Sequence, residues 1–440
     1  MVELAVRGRV RPPLTVLGRP RGEAGTGIFG AMQGLVFFDD GRGHFGPMTD
    51  LRSAVDLRSG IFTTAERLSR TVGLPTIGMV VPKSLETVVG SAHPDVSVNV
   101  LPDGEGPFLV LNARLLELSE GPLPSLGAAL VDAEDQSIGI AVLDRSTLES
   151  LIEHGELPRG VTQAASTDLR LARAAWDVFA TAGSRIALDL KLVGEHAGQS
   201  IDPIASGATV LGDHRVWVSE SAEIDPGVVL DARGGAIYIG AGVHLGVHAV
   251  FHGPCAVLDQ TRIADHAMIK ANTVIGPHCR IGGEVGGTVF QGFANKSHDG
   301  HLGDSWVGAW VNLGASTVNS NLLNTYGEVT MRLTPDGPRI RSGRQFLGCV
   351  IGDHAKTAIG TRIMTGTSIG TGAMVATSTP PPAATAAFAW LTDDGSRSYR
   401  FEKFIEVARA VMGRRNIELG VAVEDRLRVL HAEATAEARS

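Results

Sequence analysis

From residue 239 to 286 the hydrophobic pattern repeats every six residues. Ile239, Leu245, Phe251, Val257, Ile263, Ile269, Ile275 and Ile281 hold the large apolar place. Four residues after each comes a small or β-branched one: Val243, Ala249, Cys255, Thr261, Ala267, Thr273, Cys279 and Val285. A period of six fits neither a helix nor an alternating strand. It fits the hexapeptide repeat of a parallel β-helix, in which each hexad makes one short strand and a turn. Three hexads close a triangular coil, and the coils stack through backbone hydrogen bonds. The large residue points inward and the small one fits the corner, so Cys255 and Cys279 are corner fillers rather than catalytic thiols. The phase returns at Ile351, Thr357, Ile363, Ile369 and Val375, and Val218 and Ile224 keep the same step earlier. The pattern predicts a left-handed parallel β-helix over 205–378, irregular at 286–306 and 316–348. Long excursions from a rigid scaffold are where function usually sits.

The flanks follow other periods. In FEKFIEVARAVMGRR (401–415), Phe401, Phe404, Ile405, Ala408, Val411 and Met412 fall at helical spacing. A C-terminal helical segment over 379–440 is expected to cap the open end of the solenoid, whose last coil would otherwise expose its core. Upstream, GLVFFDD (34–40) predicts a buried strand ending in two carboxylates. The strands FLVLNARLL and ALVDAEDQSIGIAVL and the helix AAWDVFATAG follow. Strands mixed with helices predict an α/β domain over 35–200. Residues 1–34, rich in Arg, Pro and Gly, are expected to be a partly disordered extension.

Composition narrows the class. Aromatic residues are only 5% and glycines number 55, which suits thin stacked coils with tight turns. The net charge of −8 argues against non-specific nucleic-acid binding, so an anionic substrate needs local basic clusters. The three cysteines form no C-x-x-C pair, and neither zinc nor a disulfide framework is suggested. No secretory signal or membrane-spanning run is visible, and the expected location is the cytoplasm.

Chemistry concentrates where the repeat breaks. NKSHDGHLGD (295–304) sets Lys296, His298, Asp299, His301 and Asp304 within ten residues. Imidazole suits proton abstraction from an amine, because its free pKa of about 6.5 lies near working pH. Lys270, Arg280, Arg344 and Lys356 are candidates for holding phosphate, and a backbone N–H near Gly314–Ala315 for an oxyanion. In the first half, Arg52 and Arg58 can supply positive charge, and Asp39 or Asp40 a ligand for Mg2+. The Gly-rich phosphate loop usual in nucleotidyl transfer is absent from 35–63.

The stretch PMTDLRSAVDLRSGIFT (47–63), with FFDD, LNARLL and AWDVF, resembles a shortened sugar-nucleotidyltransferase domain. It is that of the Bacteroidetes-type relatives of the bifunctional enzyme that makes UDP-N-acetylglucosamine. SHDGHLGD, VNLGASTVNSNLLNTYGEV, GRQFLGCVIGDH and VMGRR resemble the same family. The resemblance implies acetyl-CoA-dependent N-acetylation of glucosamine 1-phosphate on the β-helix and uridylyl transfer in the N-terminal domain. It also implies a homotrimer with acetyl-CoA between neighbouring helices. His298 falls on the family's catalytic base and His301 where a tyrosine is usual. Asn312 and Ala315 fall on sugar and acetyl-CoA contacts, Asn321 beside the reacting amine, and Lys296 is the nearest substitute for the lysines that precede the base. The partners expected are thus a sugar phosphate, acetyl-CoA and a nucleoside triphosphate, with no nucleic acid or membrane.

Three other readings stay open. One is an enzyme of the glucose-1-phosphate thymidylyltransferase kind. A second is an acyltransferase with a non-catalytic N-terminal domain. The third is a zinc β-helix carbonic anhydrase, in which His298 and His301 would recruit His266, His278 or His354.

Overall fold

The computed structural model describes residues 32–118, 121–193 and 200–437. Most of the extension expected over 1–34 lies outside the described residues. The N-terminal domain is built on one seven-stranded sheet. Its strands are β1 (Gly34–Phe38), β2 (Thr76–Val80), β3 (Ser97–Val98), β4 (Phe108–Asn112), β5 (Ala128–Asp132), β6 (Ile138–Leu143) and β7 (Thr162–Ser166), in the order β3-β2-β1-β4-β6-β5-β7. β1 runs parallel to both β2 and β4, and β6 is antiparallel to its neighbours. β1 and β4 are buried throughout, which explains their unbroken apolar runs. The order reverses at β1/β4, and the carboxyl ends there, Asp39–Asp40 and Asn112–Arg114, flank the place where open α/β sheets bind ligands.

The second half is the stacked triangular coil that the six-residue period predicts, a left-handed parallel β-helix. Its first face runs from Thr209–Leu211 to His301–Gly303, its second from Val216–Val218 to Ala384–Thr385, and its third from Glu223–Ile224 through Asn295–Lys296 and bridges at Asn312 and Lys356 to Ala389–Thr392. Ile237 pairs with Cys255 and Cys255 with Thr273, one coil apart each time. All eight large hexad residues are buried, Ile263 being the most exposed at 2%. Fully burying such a side chain contributes about 1.5–3 kcal/mol, so this column is the spine of the domain. Stacking continues past 378, through Ala384–Thr385 and Ala389–Thr392, before the helices α1 (Phe401–Gly413) and α2 (Val421–Glu437) close the end. Phe401, Phe404, Ile405, Ala408 and Met412 of α1 are buried, and Phe404 meets Phe388 edge-on at 4.9 Å.

The second face is apolar on its outside as well. Trp217, Tyr238, Ala256, Val274, Val289, Trp306 and Val350 share one core with the N-terminal domain. That sheet, covered on both sides, carries no water-facing pattern. The excursion at 316–348 adds Val329, Met331, Leu333 and Leu347 to the same core, so part of it is a docking arm.

Candidate functional site

The break at 295–304 is a corner. Asn295–Lys296 is a strand of the third face and His301–Gly303 the last strand of the first face's six-stranded sheet, with His298 on the turn between them. Lys296 takes an inward position, paired with Ile281, where the repeat would place another aliphatic residue. Its side chain is buried, and Nζ donates to the carbonyls of Gly282 (2.8 Å) and His298 (3.0 Å). Burial lowers this ammonium to about 8. The expected phosphate contact is therefore corrected: Lys296 faces the core and holds the corner from beneath. His298 is exposed, and Asp299 accepts from Ser316 Oγ at 3.2 Å rather than orienting the imidazole.

The first face carries a polar cluster above a glycine floor. His301 Nδ1 lies 3.3 Å from Glu284 Oε1, and Glu284 also receives the Lys270 ammonium. Lys270, and then His301, hold this carboxyl below its usual range. A Cβ on Gly303 would stand 2.7 Å from His301 Nε2 and 2.8 Å from Asn321 Nδ2, so a larger residue there would push these two side-chain ends aside. Asn321 Nδ2 donates to Asp304 Oδ2 at 2.6 Å. Burial raises the Asp304 carboxyl, opposed by Asn321, Arg344 and His301. Asp304 adopts φ 46°, the turn geometry its G-D context suggests.

The structure thus gathers Lys270, His301, Asn321 and Arg344 on one side of His298. Arg280, Asn312 and Lys356 lie on the other, along the third face. Asn295 Nδ2 reaches Asn312 Oδ1 at 3.5 Å. Lys356 donates to the His354 carbonyl (3.1 Å), and burial lowers it to about 8. The oxyanion expectation at Gly314 changes: its N–H donates to the Thr357 carbonyl and hydroxyl, both at 3.1 Å. The carbonyl of Ala315 accepts from Gly360 N–H. Sequence reasoning missed Glu284 and Asn319. Asn319 is buried and clamps Gly303, accepting from its N–H and donating to its carbonyl, both at 2.8 Å. Glu284 hid because it lies on the strand before the break; only the sheet register puts it beside His301.

In the N-terminal domain the expected groups are already engaged. Arg114 donates to both oxygens of Asp40, and Asn112 adds a third bond. Asp39 accepts from the Ser53 hydroxyl (2.6 Å) and the N–H groups of Ala54 and Gly41. These residues do not fit an Mg2+ seat, since an ion would have to displace an arginine at Asp40 and a buried cap at Asp39. The cavity between Phe45, Leu57, Arg114, Leu116 and Val178 is only about 10 Å³. Arg52 turns to the β-helix, pairing with buried Asp353 at 2.6 Å over the Trp306 ring. Arg58 donates to the Ile61 carbonyl, and burial lowers its guanidinium. Arg52 is thus a docking group, and the backbone N–H of Arg58 donates across the same boundary to Gln291 Oε1 (3.0 Å). For zinc, His266 sits at the corner between the third and first faces, while His278 and His354 sit at the other end of the third face. Among the described residues no three metal-ligating side chains converge.

Comparison with known proteins fits this division. The family described as sugar nucleotidyl transferase matches residues 35–197. The bifunctional protein GlmU of Alkalilimnicola ehrlichii is 30% identical over 216 residues, covering 43% of this chain and 42% of that protein. GlmU of Nostoc sp. is 24% identical over 181 residues, covering 36% and 39%. A bifunctional sugar-1-phosphate nucleotidylyltransferase/acetyltransferase of Sulfurisphaera tokodaii is 33% identical over 107 residues, covering 24% and 26%. The chain therefore spans well under half the length of these curated relatives. The structure of LpxA from Acinetobacter baumannii is matched with 14% identity and a TM-score of 0.16, over 55% of this chain and 92% of that one. No helix among the described residues is long and apolar enough to cross a membrane. Residues 35–197 carry the pattern of the sugar nucleotidyl transferase family, and over part of its length the chain is similar to bifunctional nucleotidylyltransferase/acetyltransferase proteins.

Proposed function

We propose that the chain transfers an acetyl group from acetyl-CoA to the amine of glucosamine 1-phosphate on its β-helix. The observation that carries this reading is the corner at 295–304. It holds an exposed imidazole, His298, between one face bearing His301, Asn321 and Glu284 and another bearing Asn312 and Arg280. In the reaction the amine nitrogen attacks the thioester carbonyl, a C–N bond forms and the C–S bond breaks. His298 takes the proton that the nitrogen sheds and returns it to the departing thiolate. Asn321, held by Asp304, orients the amine. A groove between chains of a homotrimer would complete the donor site, with Ala315 and Lys356 on its wall.

For the N-terminal domain the match over 35–197 supports uridylyl transfer to N-acetylglucosamine 1-phosphate. A second reading, a docking domain without catalysis, is favoured by the Arg114 guanidinium that occupies Asp40. Two assays on the purified chain test these readings. In the first, acetyl-CoA with glucosamine 1-phosphate is expected to release CoA, and no release sinks the acetyltransferase. In the second, UTP, Mg2+ and N-acetylglucosamine 1-phosphate are supplied. Pyrophosphate appearing there refutes the docking-only reading, and its absence refutes uridylyl transfer. Glucose 1-phosphate with dTTP in a third tube checks the thymidylyl alternative.

A further inference from the structure

The third face carries an outward column of like charge. Arg262 and Arg280 are paired on adjacent strands, both exposed, and Asn295 follows in the same register. Like charges directly opposite one another destabilise a sheet, so their persistence calls for a counter-charge. The chain then brings two more cations to the place. Beyond α1, Arg415 folds back over the column, its Nη1 donating to the His278 carbonyl (3.1 Å) and its Nη2 to Asn295 Oδ1 (2.8 Å). Arg414 is its exposed neighbour. Burial, and then repulsion from Arg280, Arg414 and Arg262, holds the Arg415 guanidinium below its ordinary value. Among the described residues none of the four arginines makes an ion pair with a carboxylate within 4.0 Å. Acidic residues outnumber basic ones 47 to 39, so an acid-free cluster of four is a departure from the rest of the molecule.

We infer that Arg262, Arg280, Arg414 and Arg415 form a seat for the phosphate or diphosphate group of a substrate. Guanidinium forks match the oxygens of such oxyanions bidentately, and four clustered cations suit a multiply charged phosphate or diphosphate better than a single carboxylate. The column spans two strand spacings, about 10 Å from Arg262 to Asn295, room for more than one phosphate. Asn295 links the seat to Asn312, and its strand leads into the His298 corner, so a molecule anchored here extends toward the candidate base. The identity of that molecule rests on the acetyltransferase reading; the seat itself does not. Its two possible sources are the thioester donor and the sugar phosphate.

The test uses the full chain and inorganic pyrophosphate, followed by isothermal titration and thermal shift. Wild type is expected to bind it, with affinity falling as NaCl rises. Arg280→Gln/Arg415→Gln is expected to lose at least tenfold in affinity, and Arg262→Gln, on an exposed strand position, a smaller amount. A tenfold rise in KM for acetyl-CoA assigns the seat to the donor; the same rise for glucosamine 1-phosphate assigns it to the acceptor. Equal pyrophosphate binding by wild type and a folded double variant overturns the inference. So does a loss of oligomer in the double variant with pyrophosphate binding unchanged, because the cations would then face a second copy of the chain. Absence of CoA release by wild type would overturn the acetyltransferase reading alone, since the pyrophosphate titration still decides the seat.

Discussion

The crevice of the N-terminal sheet and the corner of the β-helix are both rich in charge, and they use it in opposite ways. At the crevice every candidate group has found a partner within the chain. Asp40 is locked to Arg114, Arg173 to Asp132, Arg67 to Asp189, and Arg52 to Asp353 across the domain boundary. At the corner His298 is exposed, Lys296 is spent on carbonyls, and the arginines of the third face have no carboxylate among the described residues. Charged residues in a cleft become a site only where folding leaves them unsatisfied. Buried pairs that satisfy each other are structure.

The contrast can be broken most directly at His298. His298→Ala is expected to lower CoA release by about 10²–10⁴-fold, the usual contribution of a general base, with an unchanged melting curve. Retained activity would move the base elsewhere, and His301, beside Glu284, would be the first place to look. The opposite profile is expected at the crevice. Arg114→Ala leaves Asp40 buried without its cation, and breaking such a pair costs about 3–5 kcal/mol in denaturant unfolding while acetyl transfer persists. A loss of acetyl transfer in folded Arg114→Ala would show that the two halves are coupled.

Lys296→Met sharpens the comparison further, because stability and activity should separate. Burial depresses this lysine to about 8, against about 10.5 when unfolded, so its charge opposes folding below pH 8 and less so as pH rises through 10.5. Methionine removes that penalty but leaves the Gly282 and His298 carbonyls without their donor, so the stability of the variant relative to wild type is expected to fall as pH rises from 7 to 10. Activity should fall, since the His298 carbonyl loses its anchor. The smallest effect is expected at Asp50, which joins the domains through Thr371 Oγ1 (2.6 Å). Burial raises it to about 6, so its contribution to stability is greatest below pH 4 and declines as pH rises through 6. Asp50→Asn should therefore gain about 1–2 kcal/mol at pH 7.5, discounted for partial exposure, and nothing near pH 4. A gain at both pH values would mean that ionisation is not the cause.

Some of this was legible from single residues. Cys255 and Cys279 were placed by period alone, and both are buried corner residues whose thiols burial pushes up to about 12. Arg52 and Arg58 were not, because a basic residue near a strand end looks the same whether it awaits a phosphate or packs against another domain. The six-residue rhythm by itself determined the prism, its inward column, its corners and the place where it breaks. A repeat is local, and each hexad states its own burial. Which faces stay open was decided only in three dimensions. The N-terminal domain covers the second face, Lys296 turns inward, and the VMGRR tail returns to lay Arg415 beside Arg280. Those outcomes depend on contacts between distant segments, and a charge carries no mark in the sequence of the partner that will neutralise it.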